Sequence, residues 1–149
     1  MKERVRRNTS EKDNIKIDQK IKDSIAHYSS MGDAAITKRI RELDKEWDTE
    51  RVLEVNMPIV AMIGIALGTF VSEWWFIFPT IVLIFFLQHA IQGWCPPLPI
   101  FRKLGYRTKT EIHKEKYALK LLRGDFNEVV KLSKGNIDTS TIFQAVSAS

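Results

Sequence analysis

Between Val55 and Ile100 the chain carries a single formal charge, Glu73, although 28% of its 149 residues are Asp, Glu, Lys or Arg. Such segregation asks for two solvents in one chain, water for the ends and lipid for the centre. A buried hairpin inside a water-soluble globule would need far more covering protein than the charged flanks provide.

The apolar segment reads as two helices. The first runs over residues 55–71; at about 1.5 Å per residue it reaches roughly 25 Å, at the short end for spanning. Asn56 is placed to cap it, with Pro58 in the first turn, where a missing N–H costs little. Ser72 and Glu73 form the turn, and the second span covers residues 74–94. Trp74, Trp75 and Trp94 stand at its ends, where an aromatic belt is expected.

Residues 1–54 contain 13 Lys or Arg, residues 95–149 contain 10, and the turn contains none. A turn that short keeps both ends on one side, and the cation bias makes that side cytoplasmic. The net charge of +5 follows from the same bias. Because the cations flank apolar spans and form no dense stripe, no nucleic-acid partner is expected. The start Met-Lys-Glu-Arg lacks an apolar core, so no cleavable signal peptide is expected.

In the flanks, residues 1–32 are polar, with Ile15, Ile17, Ile21 and Ile25 supporting at most a marginal helix. Residues 33–54 are expected to form one cytoplasmic amphipathic helix capped by Asp33, with Ile36, Ile40, Leu43 and Trp47 on one face. In residues 95–132, the prolines after Cys95 predict an extended interfacial segment. Thr108 and Glu111 have capping-box spacing, which predicts a helix over 109–123 stopped by Gly124. Asp125 is placed to cap a further helix through Leu132, and residues 133–149 read as a flexible tail. The fold expected is an all-α membrane protein, a two-helix transmembrane hairpin flanked by cytoplasmic amphipathic helices.

Few residues carry candidate chemistry. Gly64 and Gly68 form a GxxxG, which fits packing on the second span, a homodimer face, or no special role. Gln88, His89 and Gln92 are polar side chains near the cytoplasmic end of the second span. They suit interhelical or water hydrogen bonds, or a ligand or proton site at His89. Cys95, the sole cysteine, suits a turn or packing role, or a thiol that accepts sulfur, binds a soft metal or ligates haem iron. Its place at a helix C-terminus disfavours the thiolate. His27 and His113 read as surface residues. No catalytic constellation appears, and neither a cofactor nor a structural metal is expected.

The run Leu87-Gln-His-Ala-Ile-Gln-Gly-Trp-Cys-Pro-Pro-Leu-Pro-Ile-Phe-Arg-Lys-Leu-Gly105 resembles the bacterial YgaP-like transmembrane domain family over residues 50–107. The family's Gly-x-Cys-Pro and following Leu-Gly correspond here to Gly93, Cys95, Pro96, Leu104 and Gly105. The resemblance implies a two-helix hairpin in the bacterial inner membrane, with a dimer as one form. It also marks a departure, since the namesake carries a rhodanese domain with its own persulfide cysteine and this sequence has none. Sulfur transfer therefore does not carry over.

Taken together, these features predict a non-enzymatic anchor or scaffold. It would oligomerise or recruit another membrane or cytoplasmic protein, with the bilayer as its surroundings. The alternative is a membrane sulfur or redox relay in which Cys95 meets a separate sulfur carrier. A small transporter or channel has less to support it, because the spans themselves contain no charged residue.

Overall fold

The computed structural model describes residues 3–126. Their regular elements are all helical, with no strand among them: α1 (Arg4–Arg7), α2 (Glu11–Ser29), α3 (Asp33–Lys45), α4 (Thr49–Phe70), α5 (Ile77–Gln92), α6 (Leu98–Leu104) and α7 (Lys109–Arg123). The chain divides into two compact units, one of residues 1–20 and 47–112, the other of residues 21–46 and 113–149.

Several boundaries differ from expectation for local reasons. The Asp33–Glu54 helix is two helices, because the backbone turns extended at Glu46 and Asp48 caps a new start, its Oδ1 accepting from the Arg51 N–H at 2.7 Å. Residues 49–54 therefore belong to α4. Asn56 is no cap, and its side chain donates to the Val52 carbonyl at 2.8 Å. Pro58 lies inside the helix, beyond the first turn. Trp47 leaves the apolar face of α3 for the break, 44% exposed, with the Arg51 guanidinium 4.6 Å from its ring centroid. Gly32, not Asp33, caps α3; Asp33 opens the first turn, where its charge suits the helix N-terminus.

The N-terminal region is more helical than its weak stripe predicts. Ser10 starts α2 by accepting from the Asp13 N–H at 3.1 Å, and burial of Ile17 and Ile21 adds packing that propensity alone does not show. The prolines near Cys95 do not keep the chain extended, since Pro97 caps α6 and Pro99 falls in its opening turn, where no donor is needed. In α7, the capping box is formed: the Thr108 N–H donates to Glu111 Oε2 at 2.8 Å and the Glu111 N–H to Thr108 Oγ1 at 3.3 Å. Gly124, at φ 85°, ends it. The expected helix through Leu132 and the tail 133–149 lie outside the described residues.

In the first unit, α4 packs against α5 and the 3-10 turn Glu73–Phe76 that precedes it. Two helices here, the second being the run Glu73–Gln92, are long and apolar enough to cross a membrane. The glycines of the GxxxG set their approach. A Cβ on Gly64 would meet Pro79 Cδ at 2.6 Å, and one on Gly68 would meet the Phe76 ring at 2.8 Å. At the α4 start of the hairpin, Val5, Leu53, Met57, Cys95 and Leu98 form the core of this unit.

Beside that core lies a buried ion pair. Arg102 grips Glu111 with two parallel hydrogen bonds, 2.7 and 2.8 Å. Its remaining N–H groups reach Thr9 Oγ1, the Tyr106 carbonyl and Asn14 Oδ1, so all five donors are used. Arg6 joins Glu111 to Asp18. Burial opposes ionisation of Glu111. The Arg102 hydrogen bonds, the Thr108 N–H and the charges of Arg102 and Arg6 outweigh it, holding the carboxyl below its usual range.

In the second unit, Ile36, Ile40 and Leu43 of α3 are buried, as is Leu119 of α7. Glu115 accepts from Ser24 Oγ at 2.6 Å and Arg39 Nε at 2.9 Å. Lys116 pairs with Asp44, and Arg123 reaches Thr37 Oγ1.

Two measurements follow. Gly64→Ala should cost about 1–3 kcal/mol of stability, because the added methyl would press on the rigid Pro79 ring; an unfolding midpoint equal to that of the unsubstituted chain would contradict this packing. For Glu111, a carboxyl with a depressed folded pKa stabilises above its unfolded value of 4.5 and loses that contribution as pH falls through the folded value. Thermal midpoints should therefore drop on acidification below about 4.5, and Glu111→Gln should flatten that drop.

Candidate functional site

α5 ends where the N-terminal segment meets it. Gly93 caps the helix at φ 75°, and a Cβ there would come within 2.6 Å of Arg4 Cβ, so both the conformation and the close approach require glycine. Arg4 Nη1 donates to the Ala90 carbonyl at 2.6 Å and the Ile91 carbonyl at 3.3 Å. Asn8 Nδ2 donates to the Gln92 carbonyl at 2.9 Å. A cation and an amide thus serve the last carbonyls of a helix, where the dipole favours positive charge.

A cleft of about 430 Å³ opens at this junction, lined by Glu3, Arg4, Glu50, Glu54, Phe86 and His89 among others. Three carboxylates and one guanidinium line it, and Nη1 of that guanidinium donates to the Ala90 and Ile91 carbonyls. Burial, then the charges of Asp48, Glu3 and Glu54, raise the Glu50 carboxyl above its usual range, with Lys109 opposing. His89 is only 9% exposed, and its Nδ1 has no hydrogen-bond partner among the described residues.

The other candidates distribute differently. Gln88 and Gln92 sit one turn apart with a long 3.5 Å contact between their side chains, and neither lines the cleft. Gly64 and Gly68 belong to the hairpin contact. Cys95 is 0% exposed in the core, and burial pushes its thiol up while the Leu98 backbone N–H partly offsets this. Pro96 precedes α6, Leu104 ends it with its side chain exposed, and Gly105 caps it at φ 94°. In this arrangement Gly93 and Gly105 serve as helix caps and Cys95 as core, while Pro96 and Leu104 are exposed.

Among the described residues, no group of three His, Cys, Asp or Glu is disposed to hold a metal. The cleft has the character of an acceptor-rich, anionic binding surface, without a nucleophile beside a base. Glu3, Arg4, Glu50 and Glu54 carry no sequence signal for it: they look like ordinary flank charges, and only the chain path brings them to His89. No family model, curated protein or solved structure matches the chain.

The burial of Cys95 has a direct readout. Its thiol should react slowly with a maleimide in the folded protein and at the rate of a free thiol after denaturation. Equal rates in both states would show that the core around it is open.

Proposed function

We propose that this chain is a two-pass hairpin of the bacterial inner membrane, both termini cytoplasmic, acting as a non-enzymatic anchor that oligomerises or recruits a partner. The observation that carries the reading is the bareness of the apolar helices. Only 33% of the apolar window of the first and 17% of that of the second is buried, whereas the core helix of a water-soluble protein is mostly covered. Ile59, Met62, Ile63, Phe70, Ile84 and Leu87 all lie exposed. An apolar surface of this extent belongs in lipid or against another protein.

The rest of the reading is consistent with that setting. The charges flank the hairpin, and Glu73 alone marks its far turn. The YgaP-like resemblance supports a stand-alone hairpin, with Gly93, Pro96 and Gly105 as its structural punctuation. The sulfur or redox relay draws no support from a thiol sealed in the core.

Topology is tested by single cysteines in a Cys95→Ala background. A membrane-impermeant maleimide should label Glu73→Cys from outside the inner membrane and Met31→Cys only after lysis; labelling of both from outside would sink the orientation. Crosslinking in the membrane, followed by mild-detergent purification, should recover an oligomer or a defined complex. A clean monomer without a partner would count decisively against the scaffold role.

A further inference from the structure

The charge-free part of the hairpin is short on both legs. In α4 no charge separates Glu54 from Glu73 at the turn, and residues 54–70 rise about 24 Å at roughly 1.5 Å per residue. On the second leg the limit is set by the cleft, where Glu3, Arg4, Glu50 and Glu54 stand with Phe86 and His89, well before α5 ends at Gln92. From Glu73 to Phe86 the chain rises about 21 Å, at roughly 2.0 Å per residue in the 3-10 turn and 1.5 Å in α5. The outer face of α5 carries apolar surface on through Leu87 to Ile91, but α4 has no such extension, since Glu54 and Asn56 are both exposed. The hydrocarbon core of an ordinary bilayer is about 30 Å thick.

We propose that the hairpin fits, and locally imposes, a bilayer thinner than this by about 6 Å, so that its preferred lipids are those with short acyl chains. The inference rests on the membrane reading above and adds which kind of membrane the hairpin suits. A short span is also accommodated by snorkelling side chains, and neither end of this hairpin allows that. The turn holds no Lys or Arg, Glu73 has a shorter reach, and the exposed rings of Trp74 and Trp75 favour the interface. At the other end the polar cap is fixed to the helices. Arg4 donates to the Ala90 carbonyl, Asn8 to the Gln92 carbonyl, and Val5 packs with Leu53 and Cys95. Tilting would shorten the reach further. The lipid is then the component that yields.

The test reconstitutes the full chain in phosphatidylcholine vesicles. It reads quenching of the tryptophans by a brominated phosphatidylcholine in competition with unbrominated lipids of graded chain length. Lipids with chains of about 14 carbons should bind about threefold more strongly than those of about 20. Lengthening both legs by one apolar helical turn, inserted after Phe70 and after Phe76, should move the preference to longer chains, because each leg gains about 5 Å. Equal binding at all chain lengths, a preference for the longer ones, or an unmoved preference in the lengthened chain would each overturn the proposal and leave the membrane hairpin standing. Quenching absent from every bilayer would remove the hairpin reading and this proposal together. The native profile decides the matter should the lengthened chain fail to fold.

Discussion

The Arg102–Glu111 pair is the constraint around which the first unit is organised. Burying two opposite charges costs several kcal/mol per ion before any pairing, and that cost is met only if every donor and acceptor is used. Here Arg102 spends all five N–H groups, and the two oxygens of Glu111 take Arg102, Arg6 and the Thr108 N–H. Each partner comes from a different stretch of chain. The N-terminal segment, the residues after the hairpin and the start of α7 are therefore held by a single set of bonds. Loss of one member strands a buried charge, which is worse than never having had the pair.

That network also sets the cleft. Glu3 is tied to Thr108, and Arg6 to Glu111, so the segment between them is delivered to the end of α5 with Arg4 facing the last carbonyls. The glycine at position 93 is what allows so close an approach. A polar cap is thereby fitted on an apolar hairpin, with His89 at the seam.

Legibility in the sequence tracked how local each interaction is. Two long apolar helices were readable from charge alone, because exclusion of charge is a property of the segment; the 3-10 turn Glu73–Phe76 between them was not. The α7 capping box was readable because Thr108 and Glu111 are three residues apart. The break at Trp47 was not, since periodicity runs through it and only Asp48 as a competing cap decides. The second role of Glu111 was invisible, as were the cleft residues Glu3, Arg4, Glu50 and Glu54. Their partners are distant in sequence, and isolated surface charges look alike. Cys95, prominent as a lone thiol, is a core residue for a reason equally hidden: Val5 and Leu53 arrive from elsewhere to cover it.

The separation between Arg6 and Glu111 is 105 residues, and it imposes an order of events. During synthesis the N-terminal segment emerges first, yet its docking surface is completed only after the hairpin and α6 have been made. Until Glu111 appears, Arg6 has only Asp18 and Arg102 lacks its carboxylate partner, so the ionic closure of the cap is incomplete while the apolar helices find their place. Closure is thus a late, long-range step of the kind that contact order makes slow. The ionic network acts as a latch that engages once the hairpin is whole, and a chain stopped short of α7 has nothing to latch onto.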